Sequence, residues 1–168
     1  VEAHALWNQR RRLGRLYETG LGEQHAYTDA RKWYQRAADS GDVYGQINVG
    51  RMFEEGLGVP RDYDVALSYY RKAAAAHNGY AAGKIGWYSE HGLSGAPDTS
   101  EAIKWYRISA NEGDPAGENN FGRMYYFGIG GLTQNLDTAV KWFNKSAARG
   151  NPLAQYVLGQ LYEIGAGN

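Results

Sequence analysis

A glycine returns at a nearly constant interval along this chain, as Gly14, Gly50, Gly86, Gly122 and Gly159, each 36 or 37 residues from the last. A second follows six residues later, as Gly20, Gly56, Gly92, Gly128 and, fifth, Gly165. An aromatic pair holds the same register, as Trp33-Tyr34, Tyr69-Tyr70, Trp105-Tyr106 and Trp142-Phe143. Small residues track with it at Ala30, Ala66, Ala102 and Ala139, and again at Ala37, Ala73, Ser109 and Ser146. A period of this length marks a stack of supersecondary units, each too small to bury its own apolar face.

Inside one unit, Gly45, Val49, Met52 and Phe53 stand at i, i+4, i+7 and i+8, one face of a first helix, here helix A. Ala66, Tyr69, Tyr70, Ala73 and Ala74 repeat that period as helix B, and Asp62 stands where its N-cap belongs. Between them Gly56-Leu57-Gly58-Val59-Pro60 supplies glycines able to take positive φ and a proline unable to continue helix A. The spacing predicts helix, tight turn, helix. Gly41, Gly113 and Gly150 close helix B in three units, and His77-Asn78-Gly79 replaces that stop in another. The first unit lacks the proline, so Thr28 or Asp29 is expected to cap its helix B. A glycine inside helix A costs about 1 kcal/mol against alanine, so five of them need a reason. Close approach of an aromatic from helix B is the expected one.

These features, above all Leu13-Gly14-Arg15-Leu16-Tyr17-Glu18-Thr19-Gly20 with Trp33-Tyr34-Gln35-Arg36-Ala37-Ala38, resemble the Sel-one-like repeat (SLR) family, relatives of the tetratricopeptide repeats. Gly56 to Tyr63 fits that family's loop and Ala154 to Gly159 its first helix. The third unit departs, with Ser89 where an aromatic belongs, and the fourth carries one extra residue between Ile129 and Asp137. The resemblance implies an all-α fold, a right-handed α-α superhelix (solenoid) of antiparallel helix-turn-helix repeats. It implies one solenoid domain over 1–168, with repeats at 6–41, 42–77, 78–113 and 114–150 and a half repeat at 151–168. It also implies a concave surface that holds peptides or partner proteins, in bacterial envelope or signalling proteins or in degradation complexes. A cysteine-rich branch of the family is excluded by the absence of Cys.

Composition narrows the chemistry. Lys+Arg 18 balances Asp+Glu 18, so no overall field gathers nucleic acid or anionic lipid. No run approaches the roughly 18 apolar residues of a membrane span. Absent cysteines leave no disulfide or thiolate metal site, and His4, His25, His77 and His91 stand apart from one another. At His77 a helix end satisfied by backbone carbonyls or water is expected. Gly128-Ile129-Gly130-Gly131 lacks the Lys-Ser/Thr of a phosphate loop, and Asp62 with Asp64 lacks the closing Glu of a calcium loop. Asn144-Lys145-Ser146 matches a glycosylation acceptor but falls within a helix. No nucleophile, base and orienting group converge, so neither catalysis nor a cofactor is expected.

The surface left for a partner follows from the helix period. Positions −3, +1 and +4 from each helix A glycine share the face not used for packing. Position +1 reads Arg15, Arg51, Trp87, Arg123 and Gln160, and position +4 reads Glu18, Glu54, Glu90, Tyr126 and Glu163. Salt bridges within each helix are the plain alternative for such rows. Trp87, Tyr126 and Phe127, with Tyr44 and Tyr80, lie outside the repeat pattern, and interfaces favour Trp, Tyr and Arg. Arg51, Glu54, Trp87, Glu90, Arg123, Tyr126 and Phe127 are therefore the candidate partner-binding residues, and a protein or peptide the expected partner. A structural spacer or oligomerisation segment of a larger envelope or signalling protein is the alternative, and saccharide binding on aromatic platforms a third. The N-terminal stretch Val1 to Arg12, with Trp7, fits the repeat poorly and is either a cap or a second contact. The chain stops inside a turn that elsewhere leads to helix B, so either the last helix is a cap or a longer parent chain continues, the latter being expected, and a homodimer through the terminal repeats is a further expectation.

Overall fold

The computed structural model describes residues 24–165. The readings on Val1 to Arg12, on Gly14 and Gly20, and on Arg15 and Glu18 lie outside the described residues. The described helices are α1 (Gln24–Asp39), α2 (Val43–Glu55), α3 (Tyr63–Ala75), α4 (Gly79–His91), α5 (Thr99–Asn111), α6 (Pro115–Phe127), α7 (Leu136–Ala148) and α8 (Pro152–Glu163). A short 3₁₀ turn, Ile129–Gly131, follows α6. The described residues contain no strand, and helices A (α2, α4, α6, α8) alternate with helices B (α1, α3, α5, α7).

Local chemistry sets where each helix starts and stops. Asp42, Asp62, Asn78, Asp98, Asp114, Asn135 and Asn151 precede α2 to α8, and each side chain accepts from a backbone N–H in the first turn. Such caps are worth about 1 kcal/mol each against alanine. The first repeat differs from expectation. Helix α1 starts at Gln24, so Thr28 and Asp29 lie inside it, and Asp29 pairs with Lys32 at 2.8 Å. Gln24 to Tyr27 contains no glycine or proline to delay the helix. Helices α2, α4 and α6 end at Gly56, Gly92 and Gly128, in the left-handed region at φ 75, 66 and 65°. Their N–H groups bond back to the carbonyls of Met52, Tyr88 and Met124. At the end of helix B, His77 takes φ 59° where other repeats place a glycine, the one non-glycine with positive φ among the described residues. Its Nδ1 lies 2.9 Å from the Glu112 carboxylate, so a side-chain acid from the next repeat, and not a backbone carbonyl, is its protein partner.

The chain divides into two compact units, one ending at Ala76 and the other beginning at His77. In the first, α2 packs between α1 and α3, and Ala30, Tyr34, Ala38, Val49 and Met52 make its core. In the second, each helix packs on the next from α4 to α8, and α4 also touches α6. Its core has two parts, Ala102, Tyr106, Ala110, Phe121 and Met124, then Ala139, Phe143, Leu158 and Leu161. In both units helix B of one repeat packs on helix A of the next, which is how a unit too small for a core acquires one.

Three of the helix A glycines, Gly50, Gly86 and Gly122, do what their spacing predicts, whereas Gly159 meets no neighbour within 4 Å. A Cβ on Gly86 would sit 2.8 Å from the Tyr106 ring, on Gly50 3.0 Å from that of Tyr70, and on Gly122 3.0 Å from that of Phe143. Those rings are buried, each worth about 1.5–3 kcal/mol of transfer free energy. The small residues of helix B have a polar use as well. Buried Ser109 and Ser146 donate to the carbonyls of Gly79 and Pro115, tying helix B to the first turn of its own helix A. That bond buries Ser146 within α7 and leaves Asn144-Lys145-Ser146 in regular helix.

Candidate functional site

Of the seven candidate residues, Arg51 and Glu54 lie on α2 in the first unit, and Trp87, Glu90, Arg123, Tyr126 and Phe127 lie on α4 and α6 in the second. In the first unit Arg51 reaches Glu55 at 3.4 Å, and Glu54 accepts the hydroxyl proton of Tyr70. The acid is thus drawn to the aromatic that covers Gly50, so one contact serves packing and polar satisfaction together.

In the second unit the same arrangement carries a cation. Tyr106, the ring over Gly86, donates to Glu90 at 2.8 Å. Arg123, one repeat further on, places Nη2 2.7 Å from both carboxylate oxygens of Glu90. Its partner therefore lies 33 residues away and not within its own helix. Burial pushes the Glu90 carboxyl up, but the hydrogen bonds from Arg123 and Tyr106 and the Arg123 charge outweigh it and hold it below the usual carboxylate value. Burial raises the Tyr106 hydroxyl, and the Glu90 acceptor raises it further, so the phenol stays a donor. The positions read from sequence as one basic and one acidic row thus meet as a bridge between successive helices A.

Two hollows lie between the helices A of this unit. Between α4 and α6 a hollow of about 230 Å³ is lined by Tyr80, Lys84 and Trp87 on one side and Ala116 and Asn120 on the other. Lys84 lies over both rings, 5.8 Å from Tyr80 and 5.6 Å from Trp87. The His91 ring lies tilted against that of Trp87, centroids 4.8 Å apart, and sets Nδ1 2.9 Å from the Trp87 carbonyl oxygen. Between α6 and α8 lies a larger cleft of about 570 Å³. Arg123, Tyr126 and Phe127 line one wall, Leu153, Val157 and Ile164 the other, and the Phe143 ring the interior. Phe127 is 62% exposed and Ile164 76%, so the cleft has an apolar rim as well as an apolar interior.

The α8 wall was missed by sequence reasoning, although Leu153, Val157, Leu161 and Ile164 fall at i, i+4, i+8 and i+11 on one helical face. Asn119 was also passed over. It occupies position −3 from Gly122, on the face already singled out, and it lines the cleft.

The comparisons with known proteins agree with this architecture. The Sel1 repeat pattern matches residues 10–42, 43–78, 79–114, 115–151 and 152–167. The chain belongs to the Sel1 repeat family. Sel1 repeat proteins are in general non-catalytic scaffolds for protein interaction. A Sel1 repeat protein from Oxalobacter formigenes is 33% identical over 96% of this chain and 65% of its own, with a TM-score of 0.86. A protective antigen present in uropathogenic Escherichia coli strains, displaying an SLR fold, is also 33% identical over 96% of this chain, with a TM-score of 0.84. This chain spans only 34% of the antigen's length. A search of the curated proteins finds no match. No described helix is long and apolar enough to cross a membrane, and no cluster of three His, Asp or Glu among the described residues is placed to hold a metal ion.

Proposed function

We propose that this Sel1 repeat chain is a scaffold that holds a peptide or partner protein against the helices A of its second unit, with the cleft between α6 and α8 as its principal contact. The cleft itself carries the reading. It is a concave, mostly apolar space of about 570 Å³ bordered by exposed aromatics, within the size range of sites that bury most of a small ligand or an anchoring side chain. Trp87 adds a second aromatic contact in the smaller hollow, and Arg123, held by Glu90, lines the larger one. Arg51 and Glu54 belong to the same proposal for the first unit.

The test is a pull-down from a lysate of the source organism with wild-type chain and a Phe127→Asp variant of matched melting temperature. Phe127 is too exposed for the fold to depend on it, so a band lost only in the variant supports the cleft. Identical bands refute it. A parallel Trp87→Ala variant reports whether the smaller hollow contributes.

A second reading, self-association, is favoured by one observation: Leu153, Tyr156 and Ile164 leave α8 with 63, 64 and 76% of their surfaces exposed. Sedimentation over a hundredfold concentration range decides it, because a dimer built on α8 dissociates in Leu153→Asp. A place in the bacterial envelope is part of the proposal only, and cell fractionation of the source organism tests it.

A further inference from the structure

The smaller hollow, between α4 and α6, sets polar groups of both kinds around an aromatic wall. Tyr80 and Trp87 stand at i and i+7 on one face of α4 and keep 41 and 38% of their surfaces exposed. The Lys84 ammonium lies 5.8 Å from the first ring and 5.6 Å from the second. Asp114 also lines the hollow. It spends Oδ2 on the N–H of Gly117 and the hydroxyl of Ser109, while its Oδ1 takes no hydrogen bond among the described residues. Half-buried Asn120, on the α6 side, likewise makes none with its amide among those residues. An anion entering here meets the Asp114 carboxylate, and a cation meets the Lys84 ammonium. Donors and acceptors stand together, so the group that satisfies them both gives and takes hydrogen bonds, as a hydroxyl does. The volume of about 230 Å³ is below the roughly 300 Å³ at which drug-sized ligands are held, so the hollow has room for one ring and not for a helix.

We infer that this hollow binds one neutral pyranose of a glycan, whose equatorial hydroxyls ring its edge and leave its C–H faces apolar. One face lies against Tyr80 and Trp87. The hydroxyls donate to Asp114 Oδ1 and the Asn120 carbonyl, and accept from Lys84 and the Asn120 amide. Gly83, between the two aromatics in sequence, adds no side chain, and a Cβ there would press on the Ser109 hydroxyl at 2.9 Å. Ser109 and the Gly117 N–H thus fix the Asp114 carboxylate before a ligand arrives, which lowers the ordering cost of binding. The site is separate from the α6–α8 cleft and takes a different class of ligand, so it goes beyond the scaffold reading.

The experiment titrates the whole chain, labelled with ¹⁵N, with methyl β-D-glucopyranoside. Amide shifts at Gly83, Lys84, Trp87 and Asn120 should saturate, with a Kd on the order of 1 mM for a ligand of this size. Four other probes define the site: 2-methoxytetrahydropyran, which has the ring without the hydroxyls, methyl β-D-glucuronide, the methyl glycoside of glucosamine in its charged form, and N-acetylalanine methylamide for a peptide. The hydroxyl-free ring and the peptide should give no saturable shift there, and each charged sugar should bind more weakly than the glucoside. Asn120→Val should weaken the glucoside about tenfold, as expected when two neutral hydrogen bonds are lost. Val157 holds the same position in the next helix A, so the fold accommodates that change. Saturation by the hydroxyl-free ring or the peptide, a charged sugar binding as well as the glucoside or better, no saturable shift with the glucoside, or an unchanged Kd in Asn120→Val each overturns the inference. None of these outcomes bears on the Phe127→Asp pull-down, which reads the other cleft.

Discussion

Gly122 and Gly159 occupy the same position in successive helices A of the second unit, and their surroundings are opposite. A Cβ on Gly122 would meet the Phe143 ring at 3.0 Å, whereas a Cβ on Gly159 would meet nothing within 4 Å. The first glycine is required by the helix packed over it. The second retains the cost of a glycine within a helix, with no described ring lying over it. The residue is one thing in the repeat and two things in the fold, because close approach belongs to a pair of helices and not to the helix that carries the glycine.

Removing the ring breaks the contrast most forcibly. Phe143→Ala should destabilise the chain by about 3–5 kcal/mol, from lost burial and the cavity left behind, as read by urea denaturation. In that background Gly122→Ala should change from costly to neutral or stabilising, and a double-mutant cycle measures the difference. Gly86→Ala comes next. Its Cβ would lie 2.8 Å from Tyr106, whose hydroxyl is anchored on Glu90 and whose ring is therefore not free to slide. Overpacking of this kind should cost about 1–3 kcal/mol, part of it offset by alanine's better helix propensity. Gly159→Ala should do the reverse, stabilising α8 by up to about 1 kcal/mol, with slower amide hydrogen exchange confined to that helix as the readout. A fall in α8 protection would mean that something does pack on Gly159.

The smallest effect sharpens the Gly86 case through pH. Glu90 has a lowered carboxyl pKa in the fold, so its contribution is fully present above the unfolded carboxylate value and is lost as pH falls through the lower folded value. As Glu90 protonates, Arg123 loses its ionic partner and the Tyr106 hydroxyl its charged acceptor. The ring gains freedom, and the penalty of Gly86→Ala should shrink by a fraction of a kcal/mol between pH 6 and pH 3. Glu90→Gln should remove that pH dependence. A penalty that stays constant across the range, measured by denaturation at each pH, would show that Glu90 does not anchor the ring.

Much of the local structure was legible before any fold was known, because helix period, caps and turns depend on residues within a few positions of one another. Asp62 as a cap, Gly56 as a left-handed stop, and the aromatic over Gly50 all follow from spacing. The cap of the first repeat was not legible, since Thr28 and Asp29 are acceptable cap residues whether or not the helix has already begun. The candidate site was half legible. Arg123 and Tyr126 follow from the face that packing leaves over, Phe127 from its place outside the repeat pattern, and all three line the larger cleft. Its opposite wall belongs to another helix A, and which two walls face each other depends on how repeats stack.

The sequence by itself determined the repeat, the two helices within it, their ends, and the need for a small residue beneath each aromatic. These are short-range matters of backbone geometry and side-chain size. Only the tertiary structure decided that Arg123 meets Glu90 and that Asn119 is left with an unsatisfied oxygen. Partners drawn from different repeats are chosen by the packing of one helix on another, and a one-dimensional period holds no record of which of several equivalent residues comes to lie opposite.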